Sequence, residues 1–264
     1  MKRLGALLAA GVTLAAAAQS EPARPTVVSL DYCADQFVLG LADRDQILGV
    51  SKDADKAFSH LRARADGLRQ VRASGEDVIA LRPDLVVRSW GGSARDLDFY
   101  RRFGIEVAQI GYAQDIEGVR RETRAIGEAL GRSAQAESLI RAMPSPAPRS
   151  AERSALYLTP GGVTAGERTL VGALIHAAAL ENGAGEGGWQ SLPLERLVLA
   201  PPAVALTAFF EFDTDAADHW SLSRHPVLNR ILADAQRIRL DETRLTCPAW
   251  FVAQEAAAIA EALE

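Results

Sequence analysis

Residues 80–92 run ALRPDLVVRSWGG, a buried-strand pattern bounded by proline and glycine. Leu85, Val86 and Val87 form a short apolar run, preceded by Arg82-Pro83 and followed by Gly91-Gly92. A run without polar alternation suits a strand buried on both faces, as in a parallel sheet covered by helices. Pro83 ends the helical pattern of Val78 to Leu81 in front of it. The loop Arg88-Ser89-Trp90-Gly91-Gly92 then lies at the strand's carboxyl end, where open parallel sheets collect their ligands. Gly91 and Gly92 allow backbone to come close to a bulky partner, and Trp90 offers a flat face of roughly 150–250 Å². Position alone leaves a second reading equally open: Trp90 folds onto its own lobe and the glycines only turn the chain.

The same alternation of apolar run and helical period extends in both directions. Strands are expected at 26–30, 47–50, 85–88, 106–110, 155–158, 203–206 and 238–240. Helices are expected from Ala34 to Leu41, Val78 to Leu81, and Ala94 to Phe103 before Gly104. Two more are expected from Asp115 to Leu130 before Gly131 and from Ser133 to Met143. PSPAPRS, residues 144–150, breaks the chain. The expected fold is α/β with two lobes, residues 26–113 and 152–264, each a small mostly parallel sheet wrapped by helices. Residues 114–151 form a helical connector and proline-rich joint between them.

Residues 1–20 read as a cleaved export signal: Lys2 and Arg3, an uncharged run from Leu4 to Ala18, small residues at Ala16 and Ala18, and a polar exit. That run is shorter than the ~20 residues of a membrane span. No Cys directly follows it, so a lipid anchor has no obvious attachment point, and a free periplasmic monomer is expected. A hydrophobic content of 48% with 24% charged residues is globular. A net charge of −5 without a basic run argues against nucleic acid or anionic membrane as partner.

Other strand exits carry rings: Tyr32 beside Cys33, Phe209-Phe210, and Trp250 downstream of Arg244 and Cys247. With aromatic content at 6%, that placement favours a shared aromatic-walled cleft. Arg244 can bond a ligand phosphate or amide, or pair with Asp241 or Glu242. Four histidines, His60, His176, His219 and His225, lack the spacing of a zinc site, and no nucleophile elbow or phosphate loop appears. His219-Trp220 is a minor candidate for haem iron. No catalytic residue, resident metal or cofactor is expected. A secreted enzyme and a non-transport sensor or scavenger remain the alternatives to a transport receptor.

TVVSLDYCADQFVLGLADRDQILGVS (26–51), GEDVIALRPDLVVRSWGG (75–92), YLTPGGVTAGERTLVGALIHAAALENGAG (157–185) and LPLERLVLAPPAVAL (192–206) resemble substrate-binding proteins of ABC importers for cobalamin and iron-siderophores. The resemblance runs in order through nearly the whole chain after residue 25. It implies a class III periplasmic-binding-protein fold, not an enzyme, that hands a bulky chelate to an ABC permease. A corrinoid is the first expectation and a ferric siderophore or haem the second. By resemblance Trp90, Gly91 and Gly92 touch the ligand, with Tyr32, Phe209 and Trp250 as companions. Glu76 and Glu195, each before an apolar helical segment, correspond to the carboxylates that meet permease arginines. A helix N-terminus also favours an acid there for its own sake. Family connectors are long rods, whereas Ser133 to Met143 is only ~16 Å as a helix. The family's cobalamin binder pairs two cysteines within its second lobe. Here the only two, Cys33 and Cys247, fall in different lobes, so an exported chain forms either one bond between lobes or two free thiols.

Overall fold

A computed structural model describes residues 24–89, 94–145, 153–192, 194–209 and 225–264. In the first lobe β1 (Val27–Ser29), β2 (Ile47–Gly49), β3 (Leu85–Arg88) and β4 (Glu106–Gln109) form a parallel sheet ordered β2-β1-β3-β4. Val27, Val28, Val86 and Val87 have no exposed surface, because helices cover both faces of the sheet.

Helices α1 (Tyr32–Leu41), α2 (Gly75–Leu81) and α3 (Ala94–Arg102) follow the strands. Their boundaries come from local chemistry. Asp31 accepts from Ala34 N and Ser74 from Asp77 N, each supplying an acceptor to an otherwise unpaired donor. Arg82 closes α2 in the left-handed conformation at φ 47°, and Gly104 follows α3 at φ 73°.

Helices α4 (Ile116–Ala129) and α5 (Ser133–Arg141) come next and pack on each other. The two helices expected within 114–151 are thus present, and they pack side by side instead of extending as one long rod. Val119, Ile126, Ala136 and Ile140 join the first lobe's core with Phe37 and Leu85.

The second lobe contains β5 (Ser154–Leu158), β6 (Val163–Ala165), α6 (Leu170–Ala177), β7 (Glu181–Asn182), β8 (Trp189–Ser191), α7 (Leu194–Leu199) and β9 (Val204–Thr207). It continues with α8 (Pro226–Asp234), β10 (Gln236–Arg239), α9 (Glu242–Leu245) and α10 (Ala253–Ala262). Its main sheet is parallel and ordered β10-β9-β5-β7. Numbered within each lobe, both sheets place the second strand beside the first, then the third, then the fourth. The two lobes are thus topological repeats.

β6 and β8 make a separate antiparallel pair that the strand pattern did not reveal. The glycine-rich stretch before Leu170 explains how this pair is held. Gly166 N donates to Gly188 O at 2.9 Å, and a Cβ on Gly166 would lie 2.2 Å from Gly187 O. Only glycine permits that approach of backbone to backbone.

The end of the chain does not stay in the second lobe. Ala249, Trp250, Phe251, Val252, Ala253 and Ala256 belong to the core that contains Phe37, Val119 and Leu174. The 249–256 segment is thus a second bridge, pressed on the first lobe while α10 packs against α6. An apolar stretch such as AWFVA can fill either core, so its period does not state its destination.

Candidate functional site

A cleft of about 700 Å³ lies between the lobes. Tyr32, Ser89 and Tyr112 line it from the first lobe, and Tyr157, Trp189 and Phe209 from the second. Leu174, Thr246 and Val252 add the buried side of the wall. Most of these positions follow from strand order. Tyr32 begins the helix after β1, Ser89 and Tyr112 follow β3 and β4, and Phe209 follows β9. The carboxyl ends of two parallel sheets converge here, as open α/β sheets require.

Tyr112 and Trp189 are each about half exposed, at 52% and 51%, and meet across the cleft. Trp189 Nε1 donates to Tyr112 Oη at 3.2 Å, linking the exit of β4 to the β6–β8 pair. Behind Trp189, the ring of Tyr157 stands edge-on at 6.0 Å.

The opposite side is fastened covalently. Cys33 in α1 and Cys247 beyond α9 form a disulfide with Cα atoms 5.4 Å apart. Around it Tyr32 Oη donates to Thr246 O at 3.2 Å, and Thr246 Oγ1 donates to Phe58 O at 3.4 Å. His60 Nδ1 lies 2.9 Å from Thr243 Oγ1, its ring 4.3 Å from that of Phe251. Because 249–256 is core shared with the first lobe, the disulfide pins this returning segment at the buried side of the cleft rather than across its rim.

Burial, then the charges of Asp31 and Asp53, holds the Tyr32 phenol above its ordinary pKa. Burial, then the charge of Glu242, raises that of Tyr157. Both stay protonated at neutral pH. Beneath α1, Asp35 is fully buried, and burial pushes its carboxyl up to about 6. Ser29 Oγ and Ser51 N and Oγ donate to it, the last two at 2.9 and 2.6 Å. Asp35 therefore ties α1 to the ends of β1 and β2 and does not line the cleft.

A second groove of about 930 Å³ runs alongside, bordered by Asp115, Glu117, Arg120, Glu167, Arg168 and His176. Arg120 pairs with Glu117 there, and His176 Nε2 lies 3.5 Å from Glu167. It contains no ring wall, so the aromatic cleft is the candidate site.

Of the residues expected there, Tyr32 and Phe209 line the cleft. Trp90, Gly91 and Gly92 lie outside the described residues, as do Phe210, Glu211, His219 and Trp220. Trp250 requires correction: it is 9% exposed and its ring packs edge-on against Phe37 at 5.9 Å. Arg244 also departs from the ligand-contact expectation. Its Nη1 donates to the buried Glu255 Oε1 at 2.8 Å and its Nε lies 3.3 Å from Asp241 Oδ2. That position braces α9 against α10.

Comparison with known proteins supplies the family. The profile described as "Periplasmic binding protein" matches residues 27–233. The chain belongs to this periplasmic binding protein family. A protein named "Cobalamin-binding protein" from Halobacterium salinarum is 31% identical over 202 residues, covering 71% of this chain. The chain spans about half of that relative, 54% of its length. Solved structures share the fold: the periplasmic heme-binding protein HutB of Vibrio cholerae has a TM-score of 0.67 at 19% identity. That alignment covers 90% of this chain and 98% of HutB. The vitamin B12-binding protein BtuF of the same organism has a TM-score of 0.63 at 15% identity, over 91% and 97%. The fold is that of a class III periplasmic binding protein, and the family and these neighbours are binding proteins. Heme and B12 binders fit it almost equally, so the fold does not select the ligand.

Tyr112, Tyr157 and Trp189 are cleft residues of this family member that the sequence reading left out. Tyr112 was accessible to the strand-exit rule, since it follows β4 as Tyr32 follows β1. Trp189 was not, because it stands on an antiparallel pair outside both parallel sheets.

Proposed function

We propose that this chain is the ligand-capturing component of an ABC importer, and that its cargo is a corrinoid held between the lobes. The observation that carries this reading is the described cleft lining, five rings with apolar and hydroxyl groups and not one charged or histidine side chain. A corrinoid suits such walls: its cobalt is coordinated by its own ring, and its rim carries neutral amides. A haem presents two carboxylates and seeks a protein ligand for iron. Two of the cleft hydroxyls are already engaged: Tyr32 Oη donates to Thr246 O, and Tyr112 Oη accepts from Trp189 Nε1. The 31% identical relative is named for cobalamin. Residues 1–20 act as the export signal, and binding takes place in the periplasm by the monomer. Protein purified without denaturant, then examined by visible absorbance and mass spectrometry, should carry a corrinoid. A porphyrin or ferric siderophore in its place overturns the assignment.

Glu76 and Glu195 serve as the two docking points on the permease. Both are exposed in the first turns of α2 and α7, the helices that precede the third strand of each lobe's parallel sheet. Equivalent positions in two repeats suit a partner with twofold symmetry. In α2 the side-chain cap comes from Ser74, so capping does not require Glu76. Exposed charges govern encounter more than ligand affinity. The double variant Glu76→Gln/Glu195→Gln should therefore slow corrinoid-dependent growth about tenfold or more while binding ligand normally. Growth equal to wild type would return both residues to surface acids.

A further inference from the structure

Phe209 is unusual among the cleft residues. It is one of three described non-glycine residues with positive φ, at 67°, and alone of the three lines the cleft. A side chain with a Cβ resists this left-handed conformation, and such backbone persists only where its surroundings impose it. The imposing group is Glu242. Phe209 N donates to Glu242 Oε1 at 3.0 Å, and Glu242 is 5% exposed at the start of α9. Its other oxygen lies 3.5 Å from Arg239 Nη2. A buried carboxylate is costly to maintain, and one that spends an oxygen on a strained backbone N–H fixes that residue with a charge-assisted bond.

We propose that Glu242 is a positioning residue of the binding site, holding Phe209 in the left-handed turn that presents its ring to the ligand. This rests on the reading of the aromatic cleft as the ligand site. It also assigns a task to the segment after β10 that the covalent clamp leaves unexplained. Cys247 fixes the far end of that segment to the first lobe, while Glu242 uses its near end to set the exit of β9 in the second lobe.

Two measurements test it. The first needs no ligand: amide exchange at Phe209, followed by nuclear magnetic resonance. Glu242→Leu should speed that exchange at least about tenfold while β9 amides stay protected; Glu242→Gln, which keeps an oxygen acceptor, should recover most of the protection. The second is cyanocobalamin affinity in a double-mutant cycle. Glu242→Leu should weaken binding about tenfold in the wild-type background and have little further effect beside Phe209→Ala. Unchanged Phe209 exchange in Glu242→Leu overturns the proposal, as does an equal affinity loss in both backgrounds. If the wild-type protein does not take cyanocobalamin, the corrinoid reading fails by itself and the exchange comparison decides Glu242's role alone.

Discussion

Replacing Cys33 and Cys247 together by serine is expected to lower folding stability by about 4 kcal/mol. The two residues are 214 positions apart, so the bond restrains nearly the whole unfolded chain. For a domain pair of this size the loss corresponds to about 10 °C in melting temperature. The local cost adds to the entropic one. Without the bond the returning segment is held by packing and by the neighbouring Tyr32–Thr246, Thr246–Phe58 and His60–Thr243 contacts, which are easier to open. Urea unfolding of wild type and variant, with alkylation of the unfolded unreduced protein as a check, reads both points. Two thiols labelled in the unreduced wild type, or coincident unfolding midpoints, would rule out a stabilising clamp.

The second large effect separates two tryptophans. Trp189→Ala should weaken corrinoid binding by about 2 kcal/mol, roughly 30-fold, since it deletes an aromatic wall and the partner of Tyr112. It should leave melting nearly unchanged, because Trp189 is half exposed. Trp250→Ala should do the reverse, costing about 3–5 kcal/mol of stability through a core cavity. The affinity of the protein that remains folded should be close to wild type. The fit around Trp250 is tight: a Cβ on Gly40 of α1 would lie 2.0 Å from its ring. Melting curves and equilibrium titrations of both variants decide the matter. A Trp250→Ala protein that stays stable but loses ligand would reverse the assignment of the two rings.

That pair also shows what could and could not be read from residues alone. Unbroken apolar runs such as Leu85–Val87 announce parallel strands because both sheet faces are covered, and β3 begins and ends where its pattern does. Helix stops at Gly104 and Gly131 are equally legible, whereas α1 and α2 begin two and three residues before the expected Ala34 and Val78, where Asp31 and Ser74 cap them. The strand-exit rule finds loops, however, and not the direction in which a ring turns. Tyr32 and Phe209 turn into the cleft. Trp250, on a segment reached from the last strand, turns into the first lobe's core, because that core lacks a plug beside Phe37 and Gly40. Trp189 escaped for the opposite reason. Its two-stranded partner sheet is too short to show a period, and its position depends on glycine contacts between residues 166–168 and 185–188. Arg244 had two partners open to it from sequence, ligand or acid, and the buried Glu255 supplied by α10 settles its place.

Calorimetric titration of the ligand-free wild-type protein with cyanocobalamin and, separately, with hemin decides whether the aromatic cleft takes a corrinoid. Saturable binding of one cyanocobalamin per chain is expected, with a dissociation constant of about 1 μM or below, and hemin binding weaker by about tenfold or more. No heat with cyanocobalamin, beside tight hemin binding and the spectral change of an iron–protein bond, would contradict the corrinoid reading.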